Sequence, residues 1–186
     1  CFVTAAGNAA RNGTVSATVV VVNVASLPTV GVALLEQVAK VNPSEAMTLV
    51  GSASHVNQLW LDWVVVQGDL ANGASLADAA LTETADIEVA ANTAATRYLK
   101  LAPGALTPGA SYAFRLVATD RTPGANLKGY ARVDIVANKA PTSGTLSCAP
   151  TSGYTLETSF ALRATGWVDD AEDLPLAYAF SYAVAP

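Results

Sequence analysis

Five consecutive residues, Asp169-Asp170-Ala171-Glu172-Asp173, place four carboxylates in one short stretch of chain. Hard oxygen donors at that density are what calcium requires, so Asp169, Asp170, Glu172 and Asp173 are the candidate metal ligands. The run lacks the glycine and the ligand spacing of a helix–loop–helix calcium loop, and it lies just ahead of an alternating apolar stretch at Leu176. It therefore reads first as a solvated acidic turn, with calcium as the ion it would take. Glu36 and Asp62 would complement such a site only if the fold brought them to it. No other cofactor is indicated. The single histidine, His55, lies in the polar stretch Ser52 to Gln58 and reads as a solvated loop residue rather than a general base. There is no Gly-x-Ser-x-Gly, phosphate-binding loop or Cys-x-x-Cys, and Cys1 and Cys148 are too far apart to suggest a zinc knuckle. Asn12-Gly13-Thr14 is a glycosylation sequon, whereas Pro43 disqualifies Asn42-Pro43-Ser44. Asn-Gly is equally a hairpin signal, and the two readings agree because a turn tip exposes an acceptor.

The elements that must position these groups are strands. Tyr112, Phe114, Leu116 and Ala118 alternate with Arg115 pointing away, and Ala131, Val133 and Ile135 alternate with Arg132 and Asp134. Period-2 alternation of this kind is the mark of a half-buried strand. It recurs at Phe160-Leu162-Ala164 and at Leu176 to Tyr182, with Met47 to Val50 and Leu59 to Val66 as further strands. Pro103-Gly104, Pro108-Gly109, Pro123-Gly124 and Ser152-Gly153 punctuate the runs, a pattern that predicts an all-β sandwich. Ala71 to Ala95 is the exception; its alanines favour a loop or short helix between sheets. Trp63 shares a face with Leu61 and Val65 and is placed in the core between two sheets, with Trp60 on the opposite face. Leu106 to Tyr112 reads as a tyrosine corner, in which the phenol bonds back to upstream backbone. Most aromatics fall on core-phase positions, Trp60 excepted.

Composition narrows the function classes. Of 186 residues, 13% are charged and 52% hydrophobic, with 10 basic against 15 acidic side chains and a net charge of −5. That balance, without any basic cluster, excludes nucleic acid and anionic membrane surfaces as partners. Asn12 to Leu35 carries no charge, but Asn23, Ser26, Pro28 and Gly31 interrupt it. Two strands joined at Leu27-Pro28 explain the stretch better than direct membrane insertion. The chain starts at Cys1 without Met or leader and stops after a strand-like run, so it is expected to be an interior piece of a longer polypeptide.

Val19 to Asn23 resembles Val133 to Asn138, and Leu59 to Trp63 resembles Leu176 to Phe180, at offsets of about 115 residues, the size of one immunoglobulin-type sandwich. The parse is three parts of a tandem array of immunoglobulin/fibronectin-III-like β-sandwiches. Residues 1–26 are the last strands of one domain, 27–137 a complete sandwich, and 138–186 the first part of a third.

From Ala140-Pro141-Thr142-Ser143-Gly144 through Cys148-Ala149-Pro150-Thr151-Ser152-Gly153, Thr158-Ser159-Phe160, Gly166-Trp167-Val168-Asp169 and Leu174-Pro175-Leu176-Ala177-Tyr178-Ala179-Phe180, the sequence resembles the receptor-for-egg-jelly (REJ) region of polycystin-1-like cell-surface proteins. The middle domain more loosely resembles the PKD/fibronectin-like repeats of such regions. In the family a second cysteine often precedes Gly-Trp; here that position is Ala164, so Cys148 is free, or pairs with Cys1 or with a group outside the chain. The resemblance implies a non-enzymatic extracellular stalk of a membrane-anchored receptor or channel partner, often at a cilium. Its partners would be other extracellular proteins or glycans, neighbouring domains of the same chain and a membrane channel. The alternative class is an accessory sandwich array of a secreted carbohydrate-active enzyme or adhesin.

Overall fold

The computed structural model describes residues 27–36, 38–124 and 127–182. Asn12, Cys1, the Val19–Val22 run and the whole 1–26 segment lie outside the described residues. The fold is all-β. Strands β1 (Thr29–Leu34), β2 (Met47–His55), β3 (Leu59–Gln67), β4 (Ile87–Val89), β5 (Thr93–Leu101), β6 (Ser111–Asp120) and β7 (Lys128–Val136) form two antiparallel sheets. One has the order β1-β2-β5 and the other β4-β3-β6-β7. Strands β8 (Thr145–Ala149) and β9 (Ala161–Thr165) form a separate two-stranded hairpin.

The alternation explains the layering. Leu49 and Leu99 from the three-stranded sheet meet Leu61, Trp63, Phe114 and Leu116 from the four-stranded one, all buried. Trp63 is the bridge between the layers. A Cβ on Gly51 of β2 would lie 2.8 Å from its ring and 2.5 Å from Leu116, so only glycine leaves room for the indole there. Trp60, three residues earlier and so in the opposite phase, is on the outer face, where the Arg121 guanidinium sits 5.2 Å from its ring centre. At the start of β6 the tyrosine corner forms as expected. Tyr112 Oη accepts from the Thr107 amide at 2.8 Å and donates to the Asp69 carbonyl at 3.2 Å. Its ring presses on Gly68, which has φ +86° and would place a Cβ 2.6 Å from the Tyr112 ring, so glycine is required on both counts.

The Ala-rich stretch stitches the sheets together along one edge. The helix α1 (Leu76–Ala79) is a single turn, with a capping box between Ser75 and Asp78. Beyond it, the Leu81 amide bonds the Lys100 carbonyl of β5, and the Trp63 amide of β3 bonds the Thr84 carbonyl. Residues 79–84 thus bond to both layers before β4 joins β3.

Two expectations are corrected. Leu176 to Tyr182 is not a strand, and Tyr178 and Phe180 are exposed; it finds no neighbouring strand among the described residues, and alternation without a partner does not make a sheet. The aromatics are not mostly in the core either. Among the described residues only Trp63, Tyr112 and Phe114 are buried aromatics, while Tyr98, Tyr130, Tyr154, Phe160, Trp167, Tyr178, Phe180 and Tyr182 are exposed. Replacing Trp63 by Ala is expected to cost about 3–5 kcal/mol in urea unfolding. Trp60→Ala should cost about 1 kcal/mol or less, the scale of an exposed cation–π contact. Because the buried Trp63 Nε1 has no hydrogen-bond partner, Trp63→Phe is expected to retain most of the stability lost in Trp63→Ala.

Candidate functional site

Polar side chains converge at the two opposite ends of the sandwich. At one end β2 terminates in His55, the β2–β3 turn supplies Asn57, and β6 terminates in Asp120, which pairs with Leu59 across the ladder. His55 is not the solvated loop residue expected from its polar neighbours. Its side chain is 3% exposed, and Nε2 lies 3.4 Å from the Asp120 carboxylate, itself 0% exposed. The contact is electrostatic rather than an aligned hydrogen bond, since Nε2 has no hydrogen-bond partner among the described residues.

Asp120 is held by others. Asn57 Nδ2 donates to Oδ2 and the Thr122 amide to Oδ1, both at 2.8 Å. Burial pushes its pKa up, but the donors from Asn57 and Thr122, with the His55 ring close by, outweigh burial and bring it to about 2, against 3.8 for an ordinary aspartate. A general base must reach a proton on its substrate. Both members of this pair are enclosed, so their chemistry is structural: they tie the β2–β3 turn to the end of β6.

At the opposite end stands the acidic run. Three of its carboxylates are engaged rather than free in water. Lys40 Nζ lies 2.7 Å from Asp170, 2.8 Å from Glu172 and 3.0 Å from Asp173, and Lys139 Nζ lies 3.3 Å from the second Asp170 oxygen. Only 13% of the Lys40 side chain is exposed. Its ammonium holds the Asp170 and Glu172 carboxyls below their usual range, with Lys139 adding to the effect on Asp170, and the carboxylates in turn raise the Lys40 pKa. Asp169 instead accepts the Asp170 amide.

Oxygens of Asp169, Asp170 and Asp173 lie within 4.8 Å of one another, a spacing a cation would accept; Glu172 is not in that group. The Lys40 ammonium already supplies the positive charge there, so calcium fits only by displacing it. Glu36 lies in the exposed loop before Lys40, and Asp62 is elsewhere, accepting the Asp86 amide. Cys148, on β8, is exposed and has no disulfide partner among the described residues. The register sets it opposite Leu162, with Ala164 opposite Leu146. A cysteine at 164 would therefore be a diagonal neighbour, about 7–8 Å away and beyond easy disulfide reach.

Lys40 and Lys139 escaped the sequence reading because their partners lie 130 residues or more along the chain or across a connector. Asp120 left a weak signal: it closes a strand whose end, in a two-sheet fold, lies beside the end of β2.

The depressed Asp120 pKa makes stability pH-dependent. A carboxyl lowered by folding contributes stability above about pH 4 that is lost as the pH falls towards about 2. Asp120→Asn is expected to be less stable at neutral pH and to flatten this acid limb in thermal melts from pH 5 to 2; an unchanged limb would remove Asp120 from the account. Calorimetric titration of the chain with calcium is expected to give no binding heat at millimolar ion. Heat that disappears in Asp169→Asn/Asp170→Asn would show that the carboxylates prefer the ion to Lys40.

No curated protein and no solved structure matches the chain. Among the described residues no helix is long and apolar enough to cross a membrane. The REJ domain family matches residues 2–185. A match of that extent covers the sandwich, the hairpin and both polar clusters, and the chain belongs to the REJ domain family.

Proposed function

We propose that this chain is a non-enzymatic extracellular segment of a polycystin-1-like surface protein, working as a spacer, adhesive surface or force-bearing link. The observation that carries the reading is the family match over residues 2–185. The fold supports it. Two hydrogen-bonded sheets joined through Trp63 and closed along one edge by residues 79–84 form a unit whose strands resist separation together. The same reading divides the chain into a 1–26 end segment, a 27–137 sandwich and a 138–186 following unit. It places the protein at the cell surface, the ciliary membrane included, with other extracellular proteins or glycans, adjoining domains or a channel subunit as partners. Asn12 would carry a glycan in that setting.

The exposed aromatics favour a second reading, an accessory sandwich array that binds carbohydrate for a secreted enzyme or adhesin. Tyr130, 64% exposed, lies on the outer face of the four-stranded sheet with Trp60. Against it, a guanidinium already occupies each ring: Arg115 lies 4.5 Å from the Tyr130 centre and Arg121 faces Trp60.

Pulling single molecules of the full chain from its two ends separates the readings. A link is expected to unfold in one event, releasing strands β1 to β7, residues 29–136 (136 − 28 = 108). At ~3.3–3.6 Å per residue the released length is roughly 360–390 Å, less the folded end-to-end distance. Smooth extension without that event would end the force-bearing reading. Binding to a neutral oligosaccharide that is lost in Trp60→Ala/Tyr130→Ala would favour the second.

A further inference from the structure

The connector between the sandwich and the β8–β9 hairpin is spanned by two backbone bridges. On the sandwich side Val41 pairs in parallel with Ala137: the Val41 amide donates to the Val136 carbonyl at 2.9 Å and the Asn138 amide to the Val41 carbonyl at 2.8 Å. On the hairpin side Thr142 and Val168 exchange both amide–carbonyl bonds at 2.9 Å. Only residues 138–141 lie between the two.

Lys40 immediately precedes the first bridge, and the acidic turn begins immediately after the second. The Lys40 ammonium and the carboxylates of Asp170, Glu172 and Asp173 therefore close a ring that runs Val41, Ala137, connector, Thr142, Val168, acidic turn and back to Lys40. Rotation about residues 138–141 moves the acidic turn relative to the Lys40 backbone, so the three ion pairs survive together only as far as the Lys40 side chain can follow.

We infer that Lys40 is the latch of a salt-sensitive hinge at residues 138–141, fixing the hairpin against the sandwich when its ammonium is seated among Asp170, Glu172 and Asp173 and freeing it when it is not. The charges make the latch reversible. The carboxylates are a quarter to a half exposed, so mobile ions reach them, and screening over about 8 Å at 0.15 M salt shortens to about 3 Å at 1 M. Once Lys40 leaves, four neighbouring acids, Asp169 included, face Lys139 alone and repel one another. The hairpin adds little hold of its own, because none of the described residues from 138 to 182 is buried. The significance of the latch, control of bending in a link, rests on the function proposed above; its mechanics do not.

The test measures distances between nitroxides on the native Cys148 and on an introduced Ala94→Cys, in the full chain with Cys1→Ser. At 0.15 M salt the distribution is expected to be narrow, and to widen about twofold at 1 M salt. Lys40→Met should be equally wide at both salts, and Lys40→Arg, which keeps the charge, should stay narrow at low salt. An unchanged urea-unfolding midpoint of the sandwich would show that it is intact in each variant. A Lys40→Met distribution matching the wild type at low salt, or a wild type already wide there, would overturn the latch. Either result would leave the single-event unfolding of the sandwich untouched, so failure of the latch and failure of the link reading are told apart.

Discussion

The packing of Trp63 into the notch at Gly51 is the constraint on which the sandwich depends. Two sheets stack about 10 Å apart when ordinary aliphatic side chains fill the gap. An indole fits that gap only where the facing strand gives up its side chain, and β2 does so at Gly51. Leu116, cross-strand partner of Trp63, presses on the same glycine from β6. One aromatic and one missing Cβ thereby set the register between layers that share no ladder. The Trp63 amide also donates to the Thr84 carbonyl, so the residue that joins the sheets through its ring also anchors the segment that joins them through backbone.

Around that centre two groups of charged side chains meet at the ends of the sandwich. Charged residues are 13% of the chain, and fewer than half of those described enter ion pairs. Arg121 meets Asp86, Arg132 meets Asp134, and Lys40 and Lys139 meet the acidic turn. The His55–Asp120 contact fastens one end of the sandwich from inside, where removing one partner leaves the other buried and poorly satisfied. The Lys40 cluster works at the surface of the other end, where each exposed pair is weak alone and the geometry of several acids around one ammonium supplies the hold.

What the sequence made legible follows from how local the signal is. The alternation in β6 and β7, the Pro-Gly turns and the run from Leu106 to Tyr112 are patterns within ten residues, and each produced the element expected of it. Trp63 was placed in the core by phase alone, since a period of two fixes which face a residue takes. The Leu176 to Tyr182 stretch carries the same alternation but forms no ladder, because a strand needs a neighbour and the pattern says nothing of one. His55 misled for the opposite reason. Its neighbours in sequence are polar, yet its neighbour in space is Asp120, 65 residues away (120 − 55). The acidic run was visible at once, but its occupant was not, since nothing around Lys40 marks it as the group that answers Asp170.

The C-terminal hairpin shows why that long-range contact matters. A two-stranded hairpin is marginal in water unless a third strand or a covering layer supports it, and among the described residues β8 pairs with β9 alone. Leu146 and Trp167 line an open apolar groove with Pro141, Tyr178 and Phe180. The Trp167 ring lies so close over Gly144 that a Cβ there would come within 1.8 Å of it, which ties the chain leaving β9 to the chain entering β8. The groove is lined by residues of this unit alone; the sandwich reaches the acidic turn through Lys40 and the connector through Val41. Orientation of the hairpin is therefore governed by charge and backbone pairing rather than by burial. Contacts of that kind respond to the ionic medium, whereas the Trp63 core does not. The chain thus joins a unit with a fixed interior to one whose placement is set at the surface.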